Sequence, residues 1–235
     1  MRLAFEKAAP AKVSASWGHA NGCNIAGWDK RNDEEYLTMV LASIISGAGA
    51  TNSQDGWHAC GPECCFGALT SGDIEMLEHS YPIIIHQYAL MEDSGGAGRF
   101  RGGSGTCWEV EPLDEPMTLI TFGEGRRIPA MGAGGAQSTM VDKKVGRLEI
   151  TRNGGTEVIT DNVIETINPG ERAANKNPGG GGFGNPFERD VENVVEDVRN
   201  GLVSLEGARL DYGVVIADRE SLTVDTAATE KLRAV

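Results

Sequence analysis

Arg147-Leu148-Glu149-Ile150-Thr151-Arg152-Asn153-Gly154-Gly155-Thr156-Glu157-Val158-Ile159-Thr160 is the stretch that decides the fold class. Two β-rich runs flank Asn-Gly-Gly, whose residues tolerate the positive φ of a tight turn, so the segment reads as a β-hairpin. Further strand signals lie upstream at Pro82–Leu90, Thr106–Glu111 and Met117–Phe122, the last ended by Gly123. This spacing predicts an α+β fold that is β-rich, with a mainly antiparallel sheet body, a few short helices and Gly-rich loops.

The other segments are read around that body. Pro10 to Gly27 is small and polar, with Trp17 and Trp28 as the only bulky anchors. Tyr36–Ile45 is apolar and reads as a strand in preference to a helix. Ser71–Tyr81 is a short helix stopped by Pro82. Val191, Val194, Val195 and Val198 fall at i, i+3, i+4 and i+7, the apolar stripe of a helix spanning about Glu188 to Asn200, with Gly201 just past its end. A helical turn around Leu205–Arg209 is expected before a strand at Tyr212–Ile216, and a terminal helix after Thr226. The expected organisation is one domain over 1–235, with its core at about 10–216 and a C-terminal tail at 217–235.

Composition narrows the function. The 235 residues carry a formal charge of −13, which argues against nucleic-acid and anionic-membrane surfaces, since both reward Lys and Arg. No stretch reaches the roughly 18–20 apolar residues needed to span a bilayer, and the start, Met1 to Lys7, lacks the apolar core of a signal peptide. Five cysteines, an odd number, fit a reducing compartment better than a secreted disulfide framework. A cytoplasmic location is expected.

Glycine is the anomaly: 32 of 235 residues is about twice the ordinary usage. It concentrates in Asp93-Ser94-Gly95-Gly96-Ala97-Gly98-Arg99-Phe100-Arg101-Gly102-Gly103-Ser104-Gly105 and in Asn177-Pro178-Gly179-Gly180-Gly181-Gly182-Phe183-Gly184-Asn185-Pro186. Each glycine costs chain entropy on folding, so such runs read as ordered loops in which backbone approaches backbone or ligand closely. The second run admits a phosphate cradle built from successive N–H groups. It is neither a Walker A loop nor a dinucleotide fingerprint, and a tight buried crossing is the preferred reading. Gly95, Gly96, Gly180 and Gly181, with Arg99 and Arg101, form the candidate substrate or interface loop; two cations on a rigid loop suit a carboxylate, a phosphate or acidic residues of a partner.

His58, Cys60 and Cys64 form a weak metal-ligand candidate. Cys60 and Cys64 have a permitted C-x₃-C spacing, but a zinc site needs a second ligand pair, and free cysteines are more often small buried hydrophobes. No nucleophile elbow, Ser/His/Asp order or His-Glu-x-x-His helix is present, so no catalytic residue is assigned.

The two glycine runs carry a resemblance. The first looks like the central signature of the hydantoinase B/oxoprolinase family. The second, with Pro186, Arg189, Asp197-Val198, Ala208 and Tyr212-Gly213-Val214, resembles its C-terminal signature, and Gly47-Ala48-Gly49-Ala50 followed by Asp55-Gly56 also fits. The resemblance covers about Pro10 to Ile216 and only the C-terminal portion of typical members, whose preceding half holds a His/Asp metal site with no counterpart here. It implies a subunit of a heteromeric ATP-dependent enzyme of the hydantoinase, oxoprolinase or acetone/acetophenone carboxylase type, acting on a cyclic amide by hydrolysis or on a ketone by carboxylation. The alternative is a non-catalytic assembly subunit. Ala15-Ser16-Trp17-Gly18 and Gly72-Asp73-Ile74-Glu75 make the carboxylase (ligase) branch attractive, with the hydrolases nearly level. ATP and a divalent metal are expected on partner subunits: a hydantoinase A-type ATP-binding chain and a separate chain supplying the N-terminal half of the B-type subunit.

Overall fold

Apolar residues at every second position build the body. Along β5 (Met117–Phe122), Met117, Leu119 and Thr121 are buried while Thr118, Ile120 and Phe122 are half-buried on the opposite face, the period of a strand with one face on a core. The computed structural model describes residues 5–6, 8–9, 12–65, 67–136 and 141–234, the side chains of 141 and 142 excepted. Met1 to Ala4, Lys7 and Pro10, which entered the readings above, lie outside the described residues.

Eight further strands flank β5 in the chain: β1 (Gly22–Asp29), β2 (Glu34–Met39), β3 (Ile83–Leu90), β4 (Thr106–Pro112), β6 (Arg147–Arg152), β7 (Gly155–Ile159), β8 (Ile164–Ile167) and β9 (Arg172–Lys176). They form a four-stranded sheet of order β2-β1-β5-β8 and a five-stranded sheet of order β3-β4-β9-β6-β7. Every pairing among the described strands is antiparallel. The α+β, β-rich, antiparallel class is therefore the one observed. The β6–β7 hairpin closes through Asn153 and Gly154 at φ +53° and +76°, the two positive angles a type I′ turn requires.

One apolar cluster joins the sheets. Ile25, Met117, Leu119 and Ile167 come from the first, and Trp108, Val110, Leu148 and Ile150 from the second, all fully buried. Each such side chain contributes about 1.5–3 kcal/mol by leaving water. A second cluster sits under the C-terminal helices α2 (Val191–Arg199) and α3 (Leu205–Tyr212), where Val194, Val198, Ala208 and Tyr212 pack with Ala97 of the first glycine run. Two further α-helices among the described residues are α1 (Ile74–Ser80), capped by Asp73 accepting from the Met76 N–H, and α4 (Thr226–Arg233), capped by Asp225 accepting from the Ala228 N–H.

Two local expectations change, and one strand carried no sequence signal. The small polar segment up to Gly27 leads into and forms most of β1, the partner of both β2 and β5, which its glycine and alanine content conceals. The apolar run at Tyr36–Ile45 is strand only to Met39; Leu41–Ile44 is a 3-10 turn that buries Ala42, Ser43 and Ile44. Tyr212–Ile216 is not a strand. Tyr212 ends α3, Gly213 caps it at φ +65°, and the following segment makes one isolated bridge, Ile216 to Val224.

Candidate functional site: a glycine layer over buried ion pairs

The glycine-rich segments meet in one layer beside the sheets. Gly96 N–H donates to the Gly180 carbonyl at 2.7 Å, Gly180 N–H to Gly103 at 2.8 Å, and Gly103 N–H to Ala48 at 2.9 Å. The Gly47 N–H reaches the Pro178 carbonyl, and the Ala50 N–H reaches Gly181. Three stretches distant in sequence thus exchange backbone hydrogen bonds outside either sheet. Their separation leaves no room for side chains: a Cβ on Gly102 would lie 1.9 Å from the Gly180 carbonyl oxygen, and one on Gly180 would lie 1.9 Å from that of Ala48. Close approach of backbone to backbone is what the glycines at these positions permit. The N–H groups of Gly96, Gly103 and Gly180 are directed at carbonyls, so they do not form a phosphate nest.

Charges are buried at the edge of this layer. Arg189, from the loop before α2, makes a bidentate pair with Asp55, Nη1 to Oδ1 at 2.8 Å and Nη2 to Oδ2 at 2.7 Å, across 134 residues of sequence. The same guanidinium reaches Asp197 Oδ2 of α2 through Nε at 3.1 Å and Nη2 at 2.9 Å. Arg101 of the first glycine run lies 3.2 Å from that oxygen through Nε, close enough for an ion pair although not aligned for a hydrogen bond. Its backbone N–H donates to Asp55 Oδ1 at 2.7 Å, and its Nη1 to the Gly102 carbonyl. Arg101, Arg189 and Asp197 are all buried. Two arginines and two aspartates therefore tie the Asp55 loop, the first glycine run and helix α2 into one unit. Tyr212 lies fully buried in the field of the same charges, and burial raises its hydroxyl pKa.

A second cluster fixes the other end of the first run. Asp93 sits at φ +60° and accepts from the Ser204 N–H at 2.8 Å and from Lys143 at 3.0 Å. The buried Lys144 ammonium donates to the Asp93 and Gly95 carbonyls and lies 3.5 Å from Asp211. Burial lowers its pKa, against the opposing pull of Asp211 and Asp93. Lys144 also lines a cavity of about 120 Å³ walled by Gly96, Gly179, Gly180 and Gly182.

These pairs make acid stability readable. Burial alone would raise the Asp55 carboxyl, but the Arg189 hydrogen bond and charge outweigh it and hold the pKa below the usual value. Asp93 is likewise lowered on balance, burial being outweighed by Ser204 and Lys143. A carboxyl depressed in the folded state contributes stability that is fully present above its unfolded value, about 4, and is lost as pH falls through the folded value. Circular dichroism on acid titration is expected to show stability falling below about pH 4. Asp55→Asn is expected to lower the stability plateau above that pH and flatten the slope beneath it.

The expected site residues separate. Gly95, Gly96, Gly180 and Gly181 lie together in the layer and are buried. Arg101 is buried in the ion-pair cluster, while Arg99 is exposed, its guanidinium 5.6 Å from the Phe100 ring centroid. His58 Nδ1 accepts from the Ser104 N–H at 3.0 Å, and burial lowers its pKa. The Cys60 thiol faces the Trp57 and His58 carbonyls, and Cys64 is exposed beside Cys65. Among the described residues, no group of three or more His, Cys, Asp or Glu is placed to hold a metal ion. Asp55, Arg189, Asp197 and Tyr212 entered the sequence reading as motif positions without roles; the structure makes them one cluster. Lys144 and Asp211 carried no signal beyond their charge.

A β-rich α+β scaffold with glycine-rich loops fastened by buried arginine–aspartate pairs defines the class. The chain belongs to the hydantoinase B/oxoprolinase family, whose profile matches residues 1–186. It is 60% identical to caprolactamase subunit beta of Pseudomonas jessenii over 100% of this chain and 40% of that relative. It is 26% identical to the acetophenone carboxylase delta subunit of Aromatoleum aromaticum, covering 94% of this chain and 36% of the relative. The crystal structure of ATP-dependent caprolactamase from Pseudomonas jessenii superposes with a TM-score of 0.90 at 54% identity, over 100% of this chain and 40% of that one. A nucleotide-free acetone carboxylase structure shares the fold, with a TM-score of 0.79 at 23% identity over 98% of this chain and 34% of that one. The chain thus spans about two fifths of the length of these relatives. Among the described residues no helix is long and apolar enough to cross a membrane.

Proposed function

We propose that this chain is a portion of the B-type subunit of an ATP-dependent lactam hydrolase resembling caprolactamase, active only when joined to the rest of that subunit and to an ATP-binding hydantoinase A-type chain. The observation that carries this reading is 60% identity with caprolactamase subunit beta along the whole chain, against 26% with the acetophenone carboxylase subunit. Hydrolysis is therefore the proposed branch, and carboxylation the rival.

The N–H groups of Gly96, Gly103, Gly180 and Gly181 are given to carbonyls, and among the described residues no group of three or more His, Cys, Asp or Glu is placed to hold a metal ion. No chemical step is routed through ATP or a metal here, and both are proposed to lie on the other parts of the assembly. What this chain's residues do is hold shape: Arg101, Arg189, Asp55 and Asp197 lock the glycine layer against α2. The same observation favours a second reading, a purely structural role within the complex. Arg99, exposed beside the layer, is the proposed contact to a neighbouring subunit or ligand.

Transplantation tests the reading: this chain replaces the matching segment of the Pseudomonas jessenii subunit, and ATP-dependent caprolactam hydrolysis is measured. Retained turnover supports it.

A further inference from the structure

The outer faces of the two sheets are finished differently. On the five-stranded sheet, strand register places Glu109 and Glu111 of β4, Arg172 and Lys176 of β9, and Arg147 and Glu149 of β6 on the side away from the core. They pair there: Arg147 with Glu149 at 2.7 Å, Lys176 with Glu149 at 2.6 Å, and Arg172 with Glu111 at 3.4 Å. That is a face built for water.

The four-stranded sheet has no such ladder. Its register aligns Met39, Asn24, Ile120 and Ile164 in one cross-strand row and Leu37, Ala26, Thr118 and Thr166 in the next. All point away from the core residues Ile25 and Leu119. Leu37 is 71% exposed, Ile164 72%, Met39 51%, and Trp28 on the same face 41%. Leu37, Trp28, Ala26 and Thr118 line a shallow concavity there. An antiparallel sheet with apolar residues on both faces requires cover on both, and a continuous apolar patch on a soluble protein marks an interaction surface.

We infer that the outer face of the β2-β1-β5-β8 sheet is the seat of the remaining part of the B-type subunit, the protein layer that this chain's relatives carry beyond the two fifths it matches. The inference rests on the proposed function and adds where the joint lies. One observation selects this occupant. Caprolactamase subunit beta, 60% identical along this chain, carries about three fifths of its length outside the alignment, so a layer of protein accompanies this fold there. At the β1–β2 end of the face the register leaves Glu35 exposed beside Trp28, with exposed Lys30, Arg31 and Asp33 in the adjoining turn. The occupant is therefore apolar at its centre and polar at that rim.

The experiment co-expresses the full chain with the unmatched part of the Pseudomonas jessenii subunit, and measures association of the purified pair. Leu37→Glu and Ile164→Glu are the test variants, and Val158→Glu, on the outer face of the five-stranded sheet, is the control. All three positions are exposed, so unchanged circular dichroism melts establish that folding is intact. The expected result is a wild-type complex, each test variant weakening association at least about tenfold, and a control indistinguishable from wild type. Association equal in wild type and both test variants would overturn the face while leaving the proposed function standing. No wild-type association would overturn both. Self-association of the chain alone that Leu37→Glu abolishes would make the occupant a second copy, and would also overturn the inference.

Discussion

Gly180→Ala is expected to be among the most destabilising additions of a single methyl group to this protein. The added Cβ would sit 1.9 Å from the Ala48 carbonyl oxygen and 2.2 Å from its carbon, both backbone atoms. A flexible neighbour moves aside at small cost, but here the neighbour is the Ala48 carbonyl, which accepts the Gly103 N–H. Relief requires the layer to part, breaking hydrogen bonds that join three segments. Overpacking a rigid interior costs typically about 1–3 kcal/mol and occasionally more, and this site belongs at the upper end. Gly155→Ala is the reference: its Cβ would lie 4.0 Å from the Arg152 carbonyl oxygen, and its φ is not positive. Thermal melts followed by circular dichroism are expected to show a large loss of melting temperature, or loss of soluble protein, for Gly180→Ala and almost none for Gly155→Ala. Equal melts for the two would contradict the layer as described.

Asp197→Asn is expected to be the second large effect. The carboxylate is buried, and its Oδ2 faces both Arg189 and Arg101. The amide keeps the shape and removes the charge, leaving two buried guanidinium groups with Asp55 as their remaining counter-charge in the cluster. Breaking a buried pair by removing one partner costs about 3–5 kcal/mol, which for a chain of this size lowers the melting temperature on the order of 10 °C. Glu157→Gln removes one of the two carboxylate partners of Arg152, a surface pair, and is expected to cost less than about 1 kcal/mol. Urea denaturation of both variants checks the contrast. A similar small loss in each would mean that the cluster does not hold α2 against the layer.

The residues show why some of this architecture was legible and some was not. Strands β4 to β6 and helix α2 announce themselves because large apolar residues recur at the period of the element, as in Met117, Leu119 and the four valines of α2. β1 hides because Gly22, Ala26 and Gly27 supply no pattern, and only Cys23 and Ile25 mark its inner face. Val214–Ile216 misled for the opposite reason: a β-branched run read as strand is buried against α2 and α3 instead, after Gly213 turns the chain. The glycine runs were legible as ordered loops, and their partners were not, since backbone contact between Gly102 and Gly180 leaves no side-chain signal. The ion cluster had one visible cue. Arg101 stands inside a glycine run, and a cation held on such a loop calls for an acidic partner, which the fold supplies from Asp197 of the same chain.

The central claim is that this chain is a working portion of a lactam-hydrolysing B-type subunit. The most direct measurement is ATP-dependent caprolactam hydrolysis by a caprolactamase whose matching two fifths has been replaced by this chain, assembled with its own A-type partner. The account predicts turnover that requires ATP and falls with Asp197→Asn in the transplanted segment. A correctly assembled hybrid that consumes ATP without opening the lactam, or that carboxylates a ketone instead, would contradict it.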